Sequence, residues 1–262
     1  MKYFGGKARI GRKIANIVNE YSRGTSYWEP FCGACGVARH IDANSRVLSD
    51  VHPQLISMWN AVMRDWDPPK HVTVEDYEKA KQGQLSDPLT AFIGFGCSFG
   101  GKYFGGFARG QQNTDRKKTE RNYASAARNS LLKAREIFIE SGTSFLCCSF
   151  FDREPEEEVI YCDPPFDGTT PFSGVPEWNT LQFFARCEDL ANRGHKVLVS
   201  EYKAPPHWTN LGTVRIKRGK KMGQGTNTGK SLLYDGDRVV READQPIEDE
   251  EKVYLVTPHS KR

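Results

Sequence analysis

The sequence predicts an α/β protein with three layers, in which helices cover a central sheet and a helical, basic segment is inserted. Three observations support this prediction. Apolar strand-like runs alternate with helix-like runs in both end regions of the chain. Two early strand-like runs end in small or acidic residues, as strands do where a parallel sheet binds a ligand. Between the end regions, residues 65–143 combine helical spacing with an excess of lysine and arginine.

The composition is that of an ordinary globular protein. At 262 residues the chain can bury one sizeable core and carry an inserted subdomain. The net charge of +4 is modest, so an acidic partner has to be argued from where the basic residues cluster. No run of about 18 apolar residues occurs and the first residues lack a signal-peptide core, so we expect a cytoplasmic protein with no membrane partner.

The seven cysteines are an odd number spread among apolar segments, which suits a reducing compartment. Cys32 and Cys35 have the spacing of a metal knuckle. Cys147 and Cys148 are adjacent, however, and no spaced histidine pair follows, so the sequence does not offer four zinc ligands and predicts no metal site. A redox pair is the alternative for Cys32 and Cys35.

The first elements predict a ligand site at one edge of the sheet. Gly5 and Gly6 precede Lys7 and a helical run, which indicates either a turn that admits an anionic ligand or a plain turn before a helix. A strand then ends in small residues around Gly33, and the glycine spacing matches neither the dinucleotide motif nor the P-loop. The next strand ends in Asp50, which can accept hydrogen bonds from ribose, cap the following helix, or do both.

The composition changes over residues 65–143. Helical spacing predicts helices at 73–82, 87–96 and about 119–140. Tyr103, Phe104 and Phe107 alternate with glycines and basic residues, which suits a phosphate backbone and its bases, although a solvated helix face is the alternative. The residues predicted to contact nucleic acid are Lys102, Arg109, Arg116, Lys117, Lys118 and Arg121. Arg128, Lys133 and Arg135 continue the positive charge.

Strand patterns return after residue 144. They are predicted at 145–148, 159–162, 195–202, 214–218 and 252–256, with a helix at 179–192, a loop over the substrate at 167–176 and a polar hairpin at 220–230. One strand runs into Asp163, Pro164, Pro165 and Phe166. Chemistry on the exocyclic amine of a base needs an N–H acceptor, a fixed carbonyl and a flat apolar face, which this tetrapeptide can supply because its prolines fix the backbone. Taken alone, the four residues also fit an open turn.

Four segments therefore stand out in order along the chain, at residues 2–7, 29–34, 49–50 and 163–166. Together they resemble the motifs of the Dam-like alpha class of DNA adenine-N6 methyltransferases, and the strand at 197–202 is similar to the one that follows in that family. The resemblance implies a three-layer, Rossmann-like methyltransferase sheet. It also implies a discontinuous catalytic domain, residues 1–64 and 144–262, around a helical target-recognition domain, residues 65–143.

The same resemblance implies the cofactor and the residues around it. S-Adenosyl-L-methionine would be bordered by Tyr3, Lys7, Phe31, Gly33, Asp50, Phe150 and Asp163, with Phe150 against the adenine. Cys35 stands where the family often has glycine, which adds a Cβ beside the cofactor. Phe166 replaces a commoner tyrosine and keeps its stacking face.

The function implied is methyl transfer to N6 of an adenine flipped out of double-stranded DNA, with no obligate protein partner. Asp163 and the Pro164 carbonyl would accept the N6 hydrogens while the base stacks on Phe166, and transfer would need no covalent intermediate. The alternatives are methylation of cytosine N4 or of RNA adenine. A further alternative is a nucleic-acid-binding protein with a disabled methyltransferase fold, which Cys35 favours.

Overall fold

A seven-stranded sheet organises the chain in the computed structural model, which describes residues 1, 3–114, 117–165, 178–215, 232–235, 238–241 and 250–257. The strands in chain order are β1 (Ser26–Glu29), β2 (Ser45–Asp50), β3 (Gln111–Thr114), β4 (Lys117–Glu120), β5 (Thr143–Cys147), β6 (Val159–Cys162), β7 (Lys196–Glu201), β8 (Thr209–Arg215), β9 (Leu232–Asp235), β10 (Arg238–Arg241) and β11 (Glu250–Leu255). The helices are α1 (Gly11–Ser22), α2 (Pro53–Met63), α3 (Val74–Lys81), α4 (Asp87–Ala91), α5 (Tyr123–Glu140) and α6 (Thr180–Asn192).

The strand order of the large sheet is β5-β2-β1-β6-β7-β11-β8. The first five strands are parallel, whereas β11 runs antiparallel to both β7 and β8. The order along the chain reverses between β1 and β6, and open α/β sheets bind ligands at the carboxyl ends of strands at such a reversal. The predicted α/β class with a Rossmann-like sheet is confirmed.

Helices cover both faces of this sheet. Successive strand residues point to opposite faces, so Tyr27 is buried on one side and Trp28 on the other. Buried residues of α1, α2 and α5 pack with Tyr27, while Phe183 and Leu190 of α6 pack with Trp28. Burying each of these large side chains contributes about 1.5–3 kcal/mol to folding, which fixes the sheet between its two helical layers.

Helix α2 connects the core to the edge of the sheet where β1 and β2 end. Pro53 occupies its first turn, and His52 accepts a hydrogen bond from the amide of Leu55. Trp59 of α2 is fully buried and stacks on Phe145 of β5, with ring centroids 5.2 Å apart and planes 7° apart. The helix is therefore held rigidly against β2 and β5.

Residues 65–143 share the core of the sheet. Tyr77, Phe92 and Phe95 are buried in the same cluster as Trp59. A 3₁₀ turn covers Phe99–Gly101, and the helical run after α4 widens into a π-helix over Phe92–Gly96. The division of the chain into catalytic and target-recognition domains stays a prediction.

The helix predicted to start near residue 119 begins at Tyr123. Asn122 accepts a hydrogen bond from the amide of Ser125 at 2.8 Å and so caps α5 at that point. The preceding residues instead form β4, which pairs antiparallel with β3. A hairpin thus stands where the sequence predicted the first turn of a helix, because the charged residues there carried no strand pattern.

Other boundaries differ from the sequence prediction by a few residues. β11 begins at Glu250 rather than 252, and β5 begins at Thr143 rather than 145. The predicted loop at 167–176 and hairpin at 220–230 lie outside the described residues. In the described part of the chain, none of the helices combines the length and the apolar composition that a membrane span needs.

Gly11 gives a test of how α1 docks. A Cβ at this position would lie 2.0 Å from the carbonyl oxygen of Gly36, which is a backbone atom and cannot rotate away. Alanine normally favours a helix over glycine, but here we expect Gly11→Ala to lower the free energy of unfolding by about 2 kcal/mol or more. Urea denaturation measures this. Asn16→Ala, at an exposed position of the same helix, is the reference for helix propensity and should raise stability slightly. An unchanged or raised stability in Gly11→Ala would contradict the docking.

Candidate active site

The ends of three neighbouring strands bring the predicted site residues together. β1 leads into the loop that contains Gly33, β2 ends in Asp50, and β6 is followed by Asp163. β1 lies between the other two strands, and all three run parallel. The three residues therefore share one edge of the sheet, at the reversal of strand order.

Lys7 is the centre of a buried charge cluster at this edge. Its Nζ lies 2.7 Å from Oδ1 of Asp163 and 3.4 Å from Oε1 of Glu251. The three side chains are 6%, 16% and 1% exposed, respectively. Because a buried ammonium needs compensating charge, the N-terminal segment is bound at once to the ends of β6 and to β11.

Burial and charge act in opposite directions on the pKa values of this cluster. Burial alone would lower the pKa of Lys7, but the carboxylates of Asp163 and Glu251 outweigh it and hold that pKa above its ordinary value. Burial raises the pKa of Asp163, and the Lys7 ammonium opposes the rise. Burial likewise raises the pKa of Glu251 to about 7. Burial is the larger effect, so both acids bind protons more readily than exposed ones, although the shared ammonium opposes this.

Asp50 fixes the loop after β1. Its Oδ2 accepts a hydrogen bond from the amide of Gly33 at 3.1 Å, and its Oδ1 accepts one from the amide of His52 at 3.0 Å. Burial raises the pKa of Asp50 to about 6, although these backbone hydrogen bonds favour the ionised form. The indole N–H of Trp59 donates to the Gly33 carbonyl at 3.0 Å. Both polar groups of Gly33 are thus bound by neighbouring elements.

The N-terminal segment lies directly on the same loop. Gly33 has a φ of 48°, and a Cβ there would be 3.0 Å from the ring of Tyr3. A Cβ at Gly36 would be 3.0 Å from the Lys7 carbonyl carbon and 3.1 Å from the Ala8 nitrogen. The small residues of the loop therefore allow close contact with the segment that carries Lys7.

Cys35 departs from glycine at a position that favours glycine. Its φ of 56° lies in the left-handed region, which costs a residue with a Cβ about 1–2 kcal/mol. The side chain is fully buried, with Sγ 3.9 Å from the Gly33 carbonyl oxygen. Arg39 donates from Nε to the Cys35 carbonyl at 2.9 Å and from Nη2 to the Ala34 carbonyl at 3.1 Å. These two bonds hold the strained turn.

Aromatic side chains line the second face beside the loop. Phe31 is half-buried and contacts Phe150, Trp178 and Phe183 at ring-centroid distances of 5.5, 5.7 and 5.9 Å. Phe150, predicted to lie against the cofactor adenine, is 1% exposed and packs between Phe31 and Trp28. Phe31 is thus the more accessible of the two rings. Pro164 is buried and Pro165 is exposed, and Phe166 lies outside the described residues.

The predicted nucleic-acid contacts divide into two groups. Lys102, Arg109 and Arg121 are exposed, and the Arg121 guanidinium lies 5.2 Å from the centroid of the Tyr123 ring. Lys117 and Lys118 lie in β4, and Arg116 is outside the described residues. By contrast, Arg128 pairs with Asp67 at 2.6 Å and Arg135 pairs with Asp65. The positive excess is therefore smaller at α5 than the sequence indicates.

The aromatic residues predicted to meet bases are partly buried and pack against the core. Tyr103 packs against His52 and Phe95, and both Phe104 and Phe107 pack against Tyr77. Two other rings are exposed instead. Phe99 is 72% exposed and Phe4 is 55% exposed. The amide of Phe4 donates to the Gly101 carbonyl at 3.0 Å, so the loop that carries Phe99 is attached to the N-terminal segment beside Lys7.

A family model matches the part of the chain that contains several of these residues. The family model described as D12 class N6 adenine-specific DNA methyltransferase matches residues 3–93, which include the Lys7 segment, the Gly33 loop and Asp50. The family match and the relatives support a Dam-like adenine methyltransferase. The chain is 25% identical to the retron Ec67 DNA adenine methylase of Escherichia coli, over 76% of the chain and 75% of that relative.

Two further matches are a sequence relative and a solved structure. The DNA adenine methylase of Escherichia coli K12 is 24% identical, over 86% of this chain and 90% of that relative. An rRNA methyltransferase structure from Streptomyces viridochromogenes is 12% identical and covers 95% of this chain and 82% of its own, with a TM-score of 0.38. The fold assignment rests on the strand order and not on that structural match.

Several residues at this site were not predicted from the sequence. Glu251 was overlooked because the predicted strand began one residue later, at 252. Glu29 is 2% exposed and accepts a hydrogen bond from the Tyr27 hydroxyl at 2.7 Å. The signal for it was an acid at the end of an otherwise apolar strand. No sequence motif marks Trp59 or Arg39, because both donate hydrogen bonds to backbone carbonyls of the loop after β1. Within the described residues no group of three or more possible metal ligands comes together.

The strained turn predicts an unusual order of stabilities. Cys35→Gly and Cys35→Ala both remove the thiol, but only alanine keeps a Cβ at the left-handed position. We expect Cys35→Gly to be more stable than Cys35→Ala by about 1 kcal/mol, although glycine is normally the less stable of the two. Denaturant titration of both variants measures this difference. A more stable alanine variant would contradict the strain.

The raised pKa of the Glu29 carboxyl predicts how the free energy of unfolding depends on pH. Burial raises its pKa from 4.5 to about 8, opposed by the hydrogen bond from Tyr27. Between those values the folded state keeps a proton that the unfolded state has lost, so this group lowers the free energy of unfolding as pH rises, by up to about 1.4 kcal/mol per unit. Glu29→Gln should remove this decline between pH 5 and 8. Denaturation at several pH values measures it, with Glu20→Gln on the exposed face of α1 as the control.

Proposed function

We propose that the chain transfers a methyl group from S-adenosyl-L-methionine to N6 of an adenine flipped out of double-stranded DNA. The observation that carries the proposal is the convergence of Asp163 with the Gly33–Asp50 pair at the reversal of strand order, held by Lys7. The family match supports adenine as the base. The relatives are named as DNA adenine methylases, which supports DNA as the substrate.

The residues around the Gly33 loop fit this cofactor. Asp50 already accepts two backbone hydrogen bonds, and an ionised carboxylate has lone pairs left to accept ribose hydroxyls. Phe31 offers a partly exposed ring beside the loop, and Tyr3 closes its other side. When bound, S-adenosyl-L-methionine supplies a methyl group on a positively charged sulfur. Phe150 supports Phe31 from within the core.

Asp163 and Pro164 act on the amine of the base. Lys7 binds Oδ1 of Asp163 and opposes the rise in the pKa of this carboxyl that burial causes. Oδ2 is then oriented to accept one N6 hydrogen, while the Pro164 carbonyl accepts the other. Accepting both hydrogens directs the nitrogen lone pair away from the ring, so positioning rather than covalent chemistry lowers the barrier. Pro165 fixes the backbone, and Phe166, which lies outside the described residues, is proposed to stack on the base.

The proposed DNA surface includes the exposed residues Lys102, Arg109 and Arg121. We extend it to Lys117 and Lys118 of β4 and to Arg116, which lies outside the described residues. Their charge suits the phosphate backbone. Phe99 is the exposed aromatic side chain on the loop between the hairpin of β3 and β4 and Lys7. An exposed ring at this place suits stacking on bases that are separated when the adenine is flipped out.

The first experiment identifies the methylated product and tests the role of Asp163. We expect wild-type protein, S-adenosyl-L-methionine and unmethylated duplex DNA to give N6-methyldeoxyadenosine, identified by mass spectrometry after digestion to nucleosides. Asp163→Ala should lose roughly 10²–10³-fold in turnover, because the acceptor for N6–H is gone. It should keep cofactor binding by calorimetry, since Glu251 still pairs with Lys7.

Asp152→Ala removes an exposed carboxylate eleven residues earlier and is the matched control for this change. Unchanged turnover in Asp163→Ala would sink the assignment of the catalytic acceptor. Methylated cytosine, or product from RNA alone, would replace the proposed substrate with one of the alternatives. DNA binding without any methylated nucleoside would favour the disabled methyltransferase fold.

Phe99 gives a separate test of base contact. Stacking on a base is worth about 1–3 kcal/mol, so Phe99→Ala should weaken duplex binding by roughly 5- to 150-fold with little change in stability. Fluorescence anisotropy with a labelled duplex measures this. Ile139→Ala on α5 removes a side chain that is 48% exposed and should leave affinity unchanged. Equal affinities for the two variants would show that Phe99 does not meet the bases.

A further inference from the structure

A second group of exposed basic residues follows Lys7 directly. Arg9, Arg12 and Lys13 are all exposed and surround the start of α1, and we call them the N-terminal basic patch. Among the described residues, none of the three forms an ion pair with an acid. Arg23, at the far end of the same helix, differs from them because it pairs with Asp42 at 3.0 Å. The patch thus carries uncompensated positive charge.

The surroundings of the patch add to that charge. His40 lies close enough to Arg12 and Arg39 for both to affect it. Burial lowers the pKa of His40, and these two guanidinium groups lower it further. A region of positive electrostatic potential disfavours the binding of a further proton. An anionic partner would therefore be attracted to this part of the surface.

The folding of α1 does not explain why these residues are basic. Arg12 and Lys13 lie in the first turn, which contains no acidic residue, and Ile10 provides no side-chain cap. The amides at a helix start repel cations and favour acids, so positive side chains there reduce helix stability. Basic residues at this position thus carry a small cost to the fold, and an external anion can offset it.

The patch is close to the proposed active site and held in place. Lys7, whose Nζ lies 2.7 Å from Asp163, is separated from Arg9 by one residue, so their Cα atoms are at most about 7 Å apart. The close contacts of Gly11 with Gly36 fix the start of α1 against the loop after β1. Arg9 therefore lies within two residues of the side chain that pairs with Asp163.

We propose that Arg9, Arg12 and Lys13 bind the phosphate backbone of the DNA duplex next to the flipped adenine, as a second contact surface beside the hairpin of β3 and β4. This inference rests on the proposed function. Two separate basic surfaces would hold the duplex at more than one place around the target base. Contacts with phosphates position the duplex without reading its sequence.

The test measures how duplex affinity depends on salt. For Arg12→Gln, Lys13→Gln and the double variant, fluorescence anisotropy with a labelled duplex gives the dissociation constant between about 50 and 200 mM salt. Each lost phosphate contact should reduce the log–log slope by about 0.9 and weaken affinity roughly three- to tenfold at about 0.1 M salt. The thermal midpoint should stay equal or rise, because the helix start loses a repelled charge.

Arg23→Gln is the matched control, since it removes one arginine at the opposite end of the same helix, where it forms an ion pair with Asp42. It should keep the wild-type slope. Slopes in the patch variants equal to those of wild type and Arg23→Gln would overturn the second contact surface. Failure of the proposed function gives a different result, because the wild type itself then makes no N6-methyldeoxyadenosine, whether or not it binds the duplex.

Discussion

The site depends on one buried ammonium group. Lys7 compensates Asp163 and Glu251 at once, and these three residues come from the N-terminal segment, the end of β6 and the last strand of the sheet. Removing water from three charged groups costs several kcal/mol per ion unless they are paired. The N-terminal segment must therefore lie against the carboxyl edge of the sheet for the chain to fold. The acid proposed to act on the base is fixed by the same requirement.

Close packing links the position of the N-terminal segment to that of the Gly33 loop. The backbone of Lys7 and Ala8 lies against Gly36, and Gly36 in turn lies against Gly11 at the start of α1. Asp50 and Trp59 bind the two polar groups of Gly33 from the other side. The loop is thus held by β2, α2 and the N-terminal segment together. Its geometry is set before any ligand is present, which reduces the entropy lost on binding.

The site residues that were predicted correctly are those marked by a pattern in neighbouring residues of the sequence. Asp50 and Asp163 were identified because each follows an apolar strand, and parallel strands bring their ends to one edge. Glu251 depends on β11 inserting between β7 and β8, a pairing between distant segments that no local pattern reveals. Tyr103 and Phe104 were assigned to the surface from the glycines around them. Gly94 instead allows both rings to pack inward, since a Cβ there would lie 2.4 Å from Tyr103 and 2.9 Å from Phe104.

Cys35 was the residue that favoured a disabled methyltransferase fold, and its surroundings argue against that alternative. The left-handed turn costs about 1–2 kcal/mol with a Cβ present. Two hydrogen bonds from the charged Arg39 to the turn's carbonyls are worth about 1.5–3 kcal/mol each, so they offset the strain. The thiol is buried within the loop rather than exposed at the edge of the sheet. Arg39 thus stabilises a cysteine at a position that favours glycine. The hydrogen bond from the Gly33 amide to Asp50, on which the proposed cofactor site depends, is kept.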